Sequence, residues 1–171
     1  MKSIKSFKKG VFQITDSQIA WAMLAIGLIV VVVGGAKLFS STNTAADLNA
    51  YAAIMTEMRQ LRPSTGYGTN DYVPVLVKKD VLPKSVNISN GVIYNRSGGA
   101  ISVTGNGQGF TMTTTKLSEG ECMEYAPKLS LNNVAVTTIN GTAISGEVSS
   151  AAAAQACASG SANQISFKTN S

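Results

Sequence analysis

The feature that most constrains this chain is an uncharged segment of twenty residues, Ser17 to Ala36, near its N-terminus. Most of it is the continuous apolar run from Ile19 to Val33. A helix that crosses a hydrocarbon core of about 30 Å needs about 20 apolar residues, and this segment supplies that length. The sequence therefore predicts a helix by which the chain enters a membrane at its N-terminus.

The residues that precede this segment set its orientation. Lys2, Lys5, Lys8 and Lys9 lie in the first nine positions. Clustered lysines beside a short membrane helix stay on the cytoplasmic side, so we expect the chain beyond Lys37 to be exported. What remains after Ala36 is long enough for one domain with its own core.

The net charge of +5 and the isoelectric point near 9.3 invite a comparison with nucleic-acid-binding proteins. However, four of the fourteen Lys and Arg residues belong to the N-terminal cluster, which leaves ten against nine Asp and Glu. This near balance predicts an ordinary solvated surface, and we expect no direct binding of nucleic acid.

Two cysteines, Cys122 and Cys157, lie in the part that we expect to be exported. An even count in an oxidising compartment favours one disulfide over the alternative of two buried free thiols. Closing a loop of this length stabilises a fold by about 4 kcal/mol in the chain-entropy model.

The segment from Ala45 to Arg62 is rich in strong helix formers, and Pro63 ends it. Apolar residues recur there at spacings of three and four, which predicts an amphipathic helix continuous with the apolar segment. The predicted apolar stripe consists of Leu48, Tyr51, Ala52, Met55, Met58 and Leu61. The predicted polar side consists of Asp47, Asn49, Glu57, Arg59 and Arg62.

Three glycines, Gly27, Gly34 and Gly35, are weak points of the apolar helix, because each costs about 1 kcal/mol in a helix interior. One interpretation is that these small residues permit close helix packing. The other is that the segment loses helical structure when subunits assemble.

After Pro63 the composition changes to Ser, Thr, Asn, Gly and short apolar runs, which is typical of an α+β domain with an antiparallel sheet. We predict a short helix within Tyr72 to Asp80 and a meander of three strands, Val92 to Tyr94, Ala100 to Thr104 and Gly109 to Thr115. The remaining predicted elements are a capped helix from Ser118, with Glu121 completing its capping box, a strand from Val134 to Ile139, a short helix from Ala151 to Ala156 capped by Ser149 and Ser150, and a last strand from Gln164 to Lys168.

The residues that catalysis usually requires are missing. The chain contains no histidine, which excludes the usual nucleophilic triads and the commonest zinc sites. Glu119, Glu121 and Glu124 cluster, but at the start of a predicted helix, where negative charge complements the helix dipole. We therefore expect no enzyme activity, no metal and no cofactor.

Taken in order, these features resemble the type IV pilins, most closely the type IVb group. The leader Lys8-Lys9-Gly10 before Val11 is similar to a prepilin peptidase site. Further motifs follow the type IVb scheme: Leu82-Pro83, the turn Asn95-Arg-Ser-Gly-Gly99, the Cys122 to Cys157 loop, and Asn163-Gln-Ile-Ser-Phe167.

The resemblance implies a pilin fold in which the long N-terminal helix packs on the sheet and one C-terminal disulfide closes the domain. It implies a leader at 1–10, an apolar half-helix at 11–36, an amphipathic half-helix at 37–62 and a globular head at 63–171. It also implies cleavage between Gly10 and Val11 and possible N-methylation of Val11. Pilins usually carry a glutamate where this chain has Thr15, and we expect Asp16 to replace it by pairing with the Val11 amine of a neighbouring subunit.

The function implied is that of a major pilin, which leaves the inner membrane and polymerises with copies of itself into an extracellular pilus for adhesion, cell contact or conjugative mating. Its expected partners are itself, the prepilin peptidase and the inner-membrane assembly machinery. Two alternatives remain open. One is a minor pilin or a pseudopilin of a type II secretion system, and the other is a secreted binding domain with a conventional signal peptide that is cleaved after Gly34-Gly35-Ala36.

Overall fold

The computed structural model describes residues 44–170, which form an α+β domain. Four helices are present in it: α1 at residues 44–60, α2 at Val73–Lys78, α3 at Glu119–Ser130 and α4 at Ser150–Ala156. Seven strands accompany them: β1 at Asn87–Ser89, β2 at Val92–Tyr94, β3 at Ala100–Asn106, β4 at Gly109–Leu117, β5 at Val136–Ile139, β6 at Thr142–Ser145 and β7 at Asn163–Lys168. The predicted α+β class and antiparallel sheet are confirmed.

The strands form one sheet in the order β1-β2-β3-β4-β7-β5-β6, and every neighbouring pair is antiparallel. The first four strands are the predicted meander with one additional edge strand. The last strand, β7, lies between β4 and the β5–β6 hairpin, so the C-terminal part of the chain completes the centre of the sheet.

Alternation along the strands puts one face of the sheet toward the core. Ile101 and Val103 on β3, Met112 on β4 and Phe167 on β7 are fully or almost fully buried on this face. The helices supply the other half of the core, including Tyr51, Ile54, Met55 and Met58 from α1 and Tyr125 and Ala126 from α3.

The apolar stripe of α1 is rotated from the predicted one. Tyr51, Met55 and Met58 are buried as expected, but Ala50 and Ile54 are buried with them, whereas Leu48, Ala52 and Leu61 are only partly buried. The assignment of Asp47 to the polar side was wrong, because its side chain is only 2% exposed. The reason is that α1 is covered from two directions, by the sheet and by α3, which buries a wider stripe than a single contact would.

The two edge strands, β1 and β6, were not predicted. Every residue of β1 is exposed, and only Ile144 of β6 is partly buried, so neither strand carries the alternation that marks a half-buried strand. Both are held by tight hairpins instead. Asn90 and Gly91 turn the first hairpin and Asn140 and Gly141 the second, all four with positive φ.

Candidate functional site: the helix dock and the disulfide loop

The contact between α1 and the head is built around a buried polar cluster, which we call the helix dock and define by Asp47, Tyr51, Asn95, Arg96, Thr114 and Tyr125. Tyr51 and Tyr125 form its centre, with ring centroids 5.4 Å apart and planes at 70°. An edge-to-face pair of this kind stabilises beyond the area that it buries. Because one ring comes from α1 and the other from α3, the pair fixes how the two helices lie against each other.

Each tyrosine hydroxyl of the helix dock has a polar partner on another element. The Tyr51 hydroxyl lies 3.0 Å from Oγ1 of Thr114 on β4. The Tyr125 hydroxyl donates to Oδ2 of Asp47 on α1 at 3.2 Å. Buried hydroxyl groups need such partners, and these bonds give α1 a defined position along its axis that apolar packing alone would not set.

Asp47 is the charged member of the helix dock. Its Oδ1 atom lies 3.7 Å from Nε of Arg96. Burial raises the pKa of the Asp47 carboxyl above its usual value, and the Tyr125 hydroxyl and the Arg96 charge only partly offset this effect. The carboxyl is therefore held in a place where its charged form is poorly stabilised.

Burial likewise raises the pKa of both tyrosines of the helix dock, with the nearby Asp47 charge adding to the effect. Neither hydroxyl can act as a base near neutral pH. Their role is to hold α1 in place through hydrogen bonds from hydroxyl groups on rigid rings.

Asn95 connects the helix dock to the turn between β2 and β3. Its Nδ2 atom donates to Oγ1 of Thr114 at 3.0 Å and to the Thr115 carbonyl at 2.8 Å, while its Oδ1 accepts from the Gly99 amide at 2.7 Å. Gly99 has to be glycine, because a Cβ there would lie 1.8 Å from the Thr115 carbonyl oxygen. The turn that the sequence marked as pilin-like is thus a structural support for the helix contact.

The second feature is the disulfide loop, residues 122–157, which is closed by the predicted bond between Cys122 and Cys157. Cys122 is on the first turn of α3 and Cys157 is the residue that ends α4. The predicted disulfide is confirmed, and with it the link between the two helices. The capping box of α3 is also present, with Ser118 accepting from the Glu121 amide and Glu121 accepting from the Ser118 amide.

Asn163 fastens the chain that follows the disulfide loop. Its Nδ2 donates to the carbonyls of Leu117 at 3.2 Å and Ala158 at 2.8 Å, and its Oδ1 accepts from the Ala158 amide and from Nδ2 of Asn140, both at 2.7 Å. One buried amide thereby joins the end of β4, the β5–β6 turn and the start of β7. The sequence motif from Asn163 to Phe167 gave no indication of this role.

The described part of the chain contains no group of three His, Cys, Asp or Glu residues placed to hold a metal ion. Glu121 caps α3 and accepts from Ser97, and Glu124 pairs with Lys128, so these glutamates have structural partners. Among the helices of residues 44–170, none has the length and apolar character that a membrane crossing requires.

The other predicted site residues lie outside the described residues. These are the leader positions Gly10 and Val11, the assembly positions Thr15 and Asp16, and the helix weak points Gly27, Gly34 and Gly35. Asp47 is the functional residue that the sequence interpretation missed. A signal was available, because Asp47 precedes Tyr51 by four residues and Ile54 by seven, which places it on the buried side of α1.

Comparison with known proteins tests the predicted resemblance to the type IVb pilins. No curated protein sequence matches the chain. The family model described as PilS N terminal matches residues 40–170. The chain belongs to this family. In three dimensions, the chain is similar to the crystal structure of a type IV b pilin from Salmonella typhi, which is 18% identical to it with a TM-score of 0.59.

That superposition covers 77% of this chain and 99% of the Salmonella typhi chain. The predicted recognition as a type IVb pilin is therefore confirmed, and the head of this PilS family member has the type IVb pilin fold. The helix dock and the disulfide loop are the parts of that fold in which buried polar and covalent links hold the helix and the C-terminal part to the sheet.

Proposed function

We propose that the chain is the major subunit of a type IVb pilus, which polymerises into an extracellular filament for adhesion, cell contact or conjugative mating. The observation that carries the proposal is the family match over residues 40–170, which spans the whole described domain. The fold supports it, because a filament subunit needs a head fixed rigidly to its helix, and the helix dock supplies such a connection through buried tyrosines.

The proposal gives each part of the chain a role in assembly. The precursor is held in the inner membrane by the apolar half-helix at 11–36, and the prepilin peptidase removes the leader after Gly10. Val11 becomes the new N-terminus, open to methylation, and Asp16 pairs with the amine of a neighbour. The apolar half-helix then exchanges lipid for the apolar halves of other copies, which is the environment an all-apolar helix requires.

Electron microscopy of cells that express the chain tests the proposal. We expect filaments on wild-type cells, their loss when the gene is deleted, and their return with the gene supplied in trans. Gly10→Leu tests the cleavage, because it should keep the leader on the chain and abolish filaments. Ser3→Ala in the same leader is the matched control and should leave the filaments unchanged.

The amount of the chain in sheared filaments separates a major from a minor pilin. A major pilin should be the most abundant protein of the sheared fraction. If the chain is present in traces, or if filaments persist in its absence, the chain is instead a minor pilin or a pseudopilin. If it is found as a free monomer outside the cell and no filament depends on it, the proposal is wrong.

A further inference from the structure

Two arginines, one near the end of α1 and one just beyond it, have no acidic partner in the part of the chain that the structure describes. Arg59 is in the last turn of α1, and Arg62 follows two residues after the helix ends, with its backbone N–H donating to the Arg59 carbonyl at 3.4 Å. No Asp or Glu oxygen of residues 44–170 lies within 4.0 Å of either guanidinium, and the three ion pairs in this range involve other cations. Their positive charges are therefore not balanced locally.

Neutral oxygens from two other elements hold both guanidinium groups in place. Arg59 donates from Nη2 to the carbonyl oxygen of Asn132, in the loop after α3. Arg62 donates from Nη2 to Oε1 of Gln108, in the β3–β4 turn, at 3.3 Å. The ordinary explanation for arginines at a helix C-terminus is contact with the last carbonyls of that helix, but these donors point to residues of other elements instead.

A cavity of about 190 Å³ lies beside the two arginines and is lined by Arg59, Arg62, Tyr67 and Asn133. Small-molecule sites usually measure about 300 to 1,000 Å³, so this cavity fits a single small group. Each guanidinium has five N–H donors, of which one is used here, and the Asn133 amide adds further hydrogen-bonding capacity. The lining is thus rich in donors and carries two positive charges.

The electrostatics of Tyr67 agree with this arrangement. Its ring is fully buried and its hydroxyl donates to the Met58 carbonyl at 2.6 Å. Burial raises the pKa of the Tyr67 hydroxyl, and the charges of Arg62 and Arg59 act in the opposite direction. Both guanidinium groups therefore bring positive potential to the same wall of the cavity.

We propose that this cavity is a binding site for a small oxyanion group, a phosphate or a carboxylate, held by Arg59 and Arg62. The planar guanidinium forks match the geometry of both anions and bind them through charge-assisted hydrogen bonds. The site goes beyond the proposed assembly function, because it gives the head a means of recognising phosphorylated or carboxylated molecules at a surface.

Nuclear magnetic resonance of the full chain in detergent micelles tests the site with two probes, inorganic phosphate and acetate. Each is titrated at fixed pH and fixed ionic strength, with chloride as the replaced anion, while the side-chain Nε–Hε signals of the arginines are followed. We expect a saturable shift of the Arg59 and Arg62 signals with at least one probe. The probe that saturates at lower concentration identifies the chemical class, and the absence of saturation with both overturns the proposal.

Two variants that remove one positive charge each distinguish a built site from general attraction. Arg62→Gln should raise the apparent dissociation constant about tenfold or more, because it removes a charged donor from the site. Lys84→Gln, at an exposed position outside the cavity, should change it less than about twofold. Equal weakening by both variants would show that net charge alone attracts the anion and would overturn the proposal. Thermal unfolding confirms that both variants are folded.

Discussion

At the scale of single residues, Asp47 is the position where burial and charge oppose each other most directly. Its carboxyl is almost completely buried, and the groups that face it are Tyr125 and Glu121 of α3, Arg96 of the β2–β3 turn and Tyr51 of its own helix. Only Arg96 brings a positive charge, at 3.7 Å. Because desolvation outweighs this attraction, folding favours the protonated carboxyl.

This imbalance predicts how stability varies with pH. Since the pKa of Asp47 is raised in the folded state, its favourable contribution is complete below the unfolded value near 3.8 and is lost as pH rises through the higher folded value. Asp47→Asn should remove that loss. We expect the free energy of unfolding of wild type, relative to Asp47→Asn, to fall as the pH rises above the unfolded value near 3.8.

Urea unfolding of the full chain in detergent at a series of pH values measures this difference. Glu119→Gln, at an exposed position on the first turn of α3, is the control for the loss of one negative charge. A difference between wild type and Asp47→Asn that does not change with pH would contradict the raised pKa.

Two glycines give a matched pair for the turn that supports the helix dock. A Cβ at Gly99 would meet the Thr115 carbonyl at 1.8 Å, whereas a Cβ at Gly120 on α3 would have open space. Gly99→Ala should lower the free energy of unfolding by about 2 to 3 kcal/mol, because backbone has to move. Gly120→Ala should raise it by up to about 1 kcal/mol through helix propensity.

Both substitutions change the unfolded chain in the same way, so their difference reports the folded state. Urea unfolding of the two variants side by side is the measurement. Equal effects of the two substitutions would contradict the structural account of the Asn95 to Gly99 turn.

At the scale of elements, the disulfide links α3 to α4. Because Cys122 and Cys157 are 35 residues apart in sequence, the bond removes much of the freedom of the unfolded chain between them. In the chain-entropy model, its loss costs about 4 kcal/mol. We expect a reducing agent to lower the urea midpoint of wild type by a corresponding amount.

The double variant with Cys122→Ala and Cys157→Ala is the control, because it should unfold at the reduced midpoint and should not respond to the reducing agent. A wild-type midpoint that stays the same under reduction would show that the fold does not depend on the bond.

The sequence predicted the elements whose signals are local. The Ser118 and Glu121 capping box, the α1 helix formers and the alternation of β3 and β4 each depend on residues a few positions apart. The edge strands β1 and β6 were missed because exposed edges lack alternation. The place of β7 between β4 and β5 could not be predicted either, since it depends on pairings across the whole domain.

The same limit applies to the candidate sites. The disulfide followed from cysteine count and compartment, while the helix dock required knowing that α3 and β4 approach α1 together. The arginine cavity lies where the end of α1 approaches the loops at Gln108 and Asn133. No spacing of residues in the sequence predicts that these segments are close together.

At the scale of the whole molecule, the assembly hypothesis centres on Asp16, which stands one position after the usual glutamate. Asp16→Ala should lower the yield of sheared filaments at least about tenfold, because the neighbouring amine would lose its partner in a low-dielectric environment. Adding Thr15→Glu to this variant should restore part of the yield. Immunoblots of the sheared fraction, scaled to total protein in the cells, measure both effects.

Filaments formed by Asp16→Ala at wild-type yield would contradict the pairing. The double variant with Thr15→Glu is informative only if Asp16→Ala lowers the filament yield. The yield of the single variant is therefore measured first, and the yield of the double variant is compared with it.

The central claim is that an apolar helix, once freed of its leader, becomes the core of a polymer made of identical chains. The most direct test is the mass of the mature N-terminal peptide from purified filaments. The account predicts filaments whose main protein begins at Val11, with or without one added methyl group. A protein that begins at Lys37 and is recovered only as a dissolved monomer would contradict it.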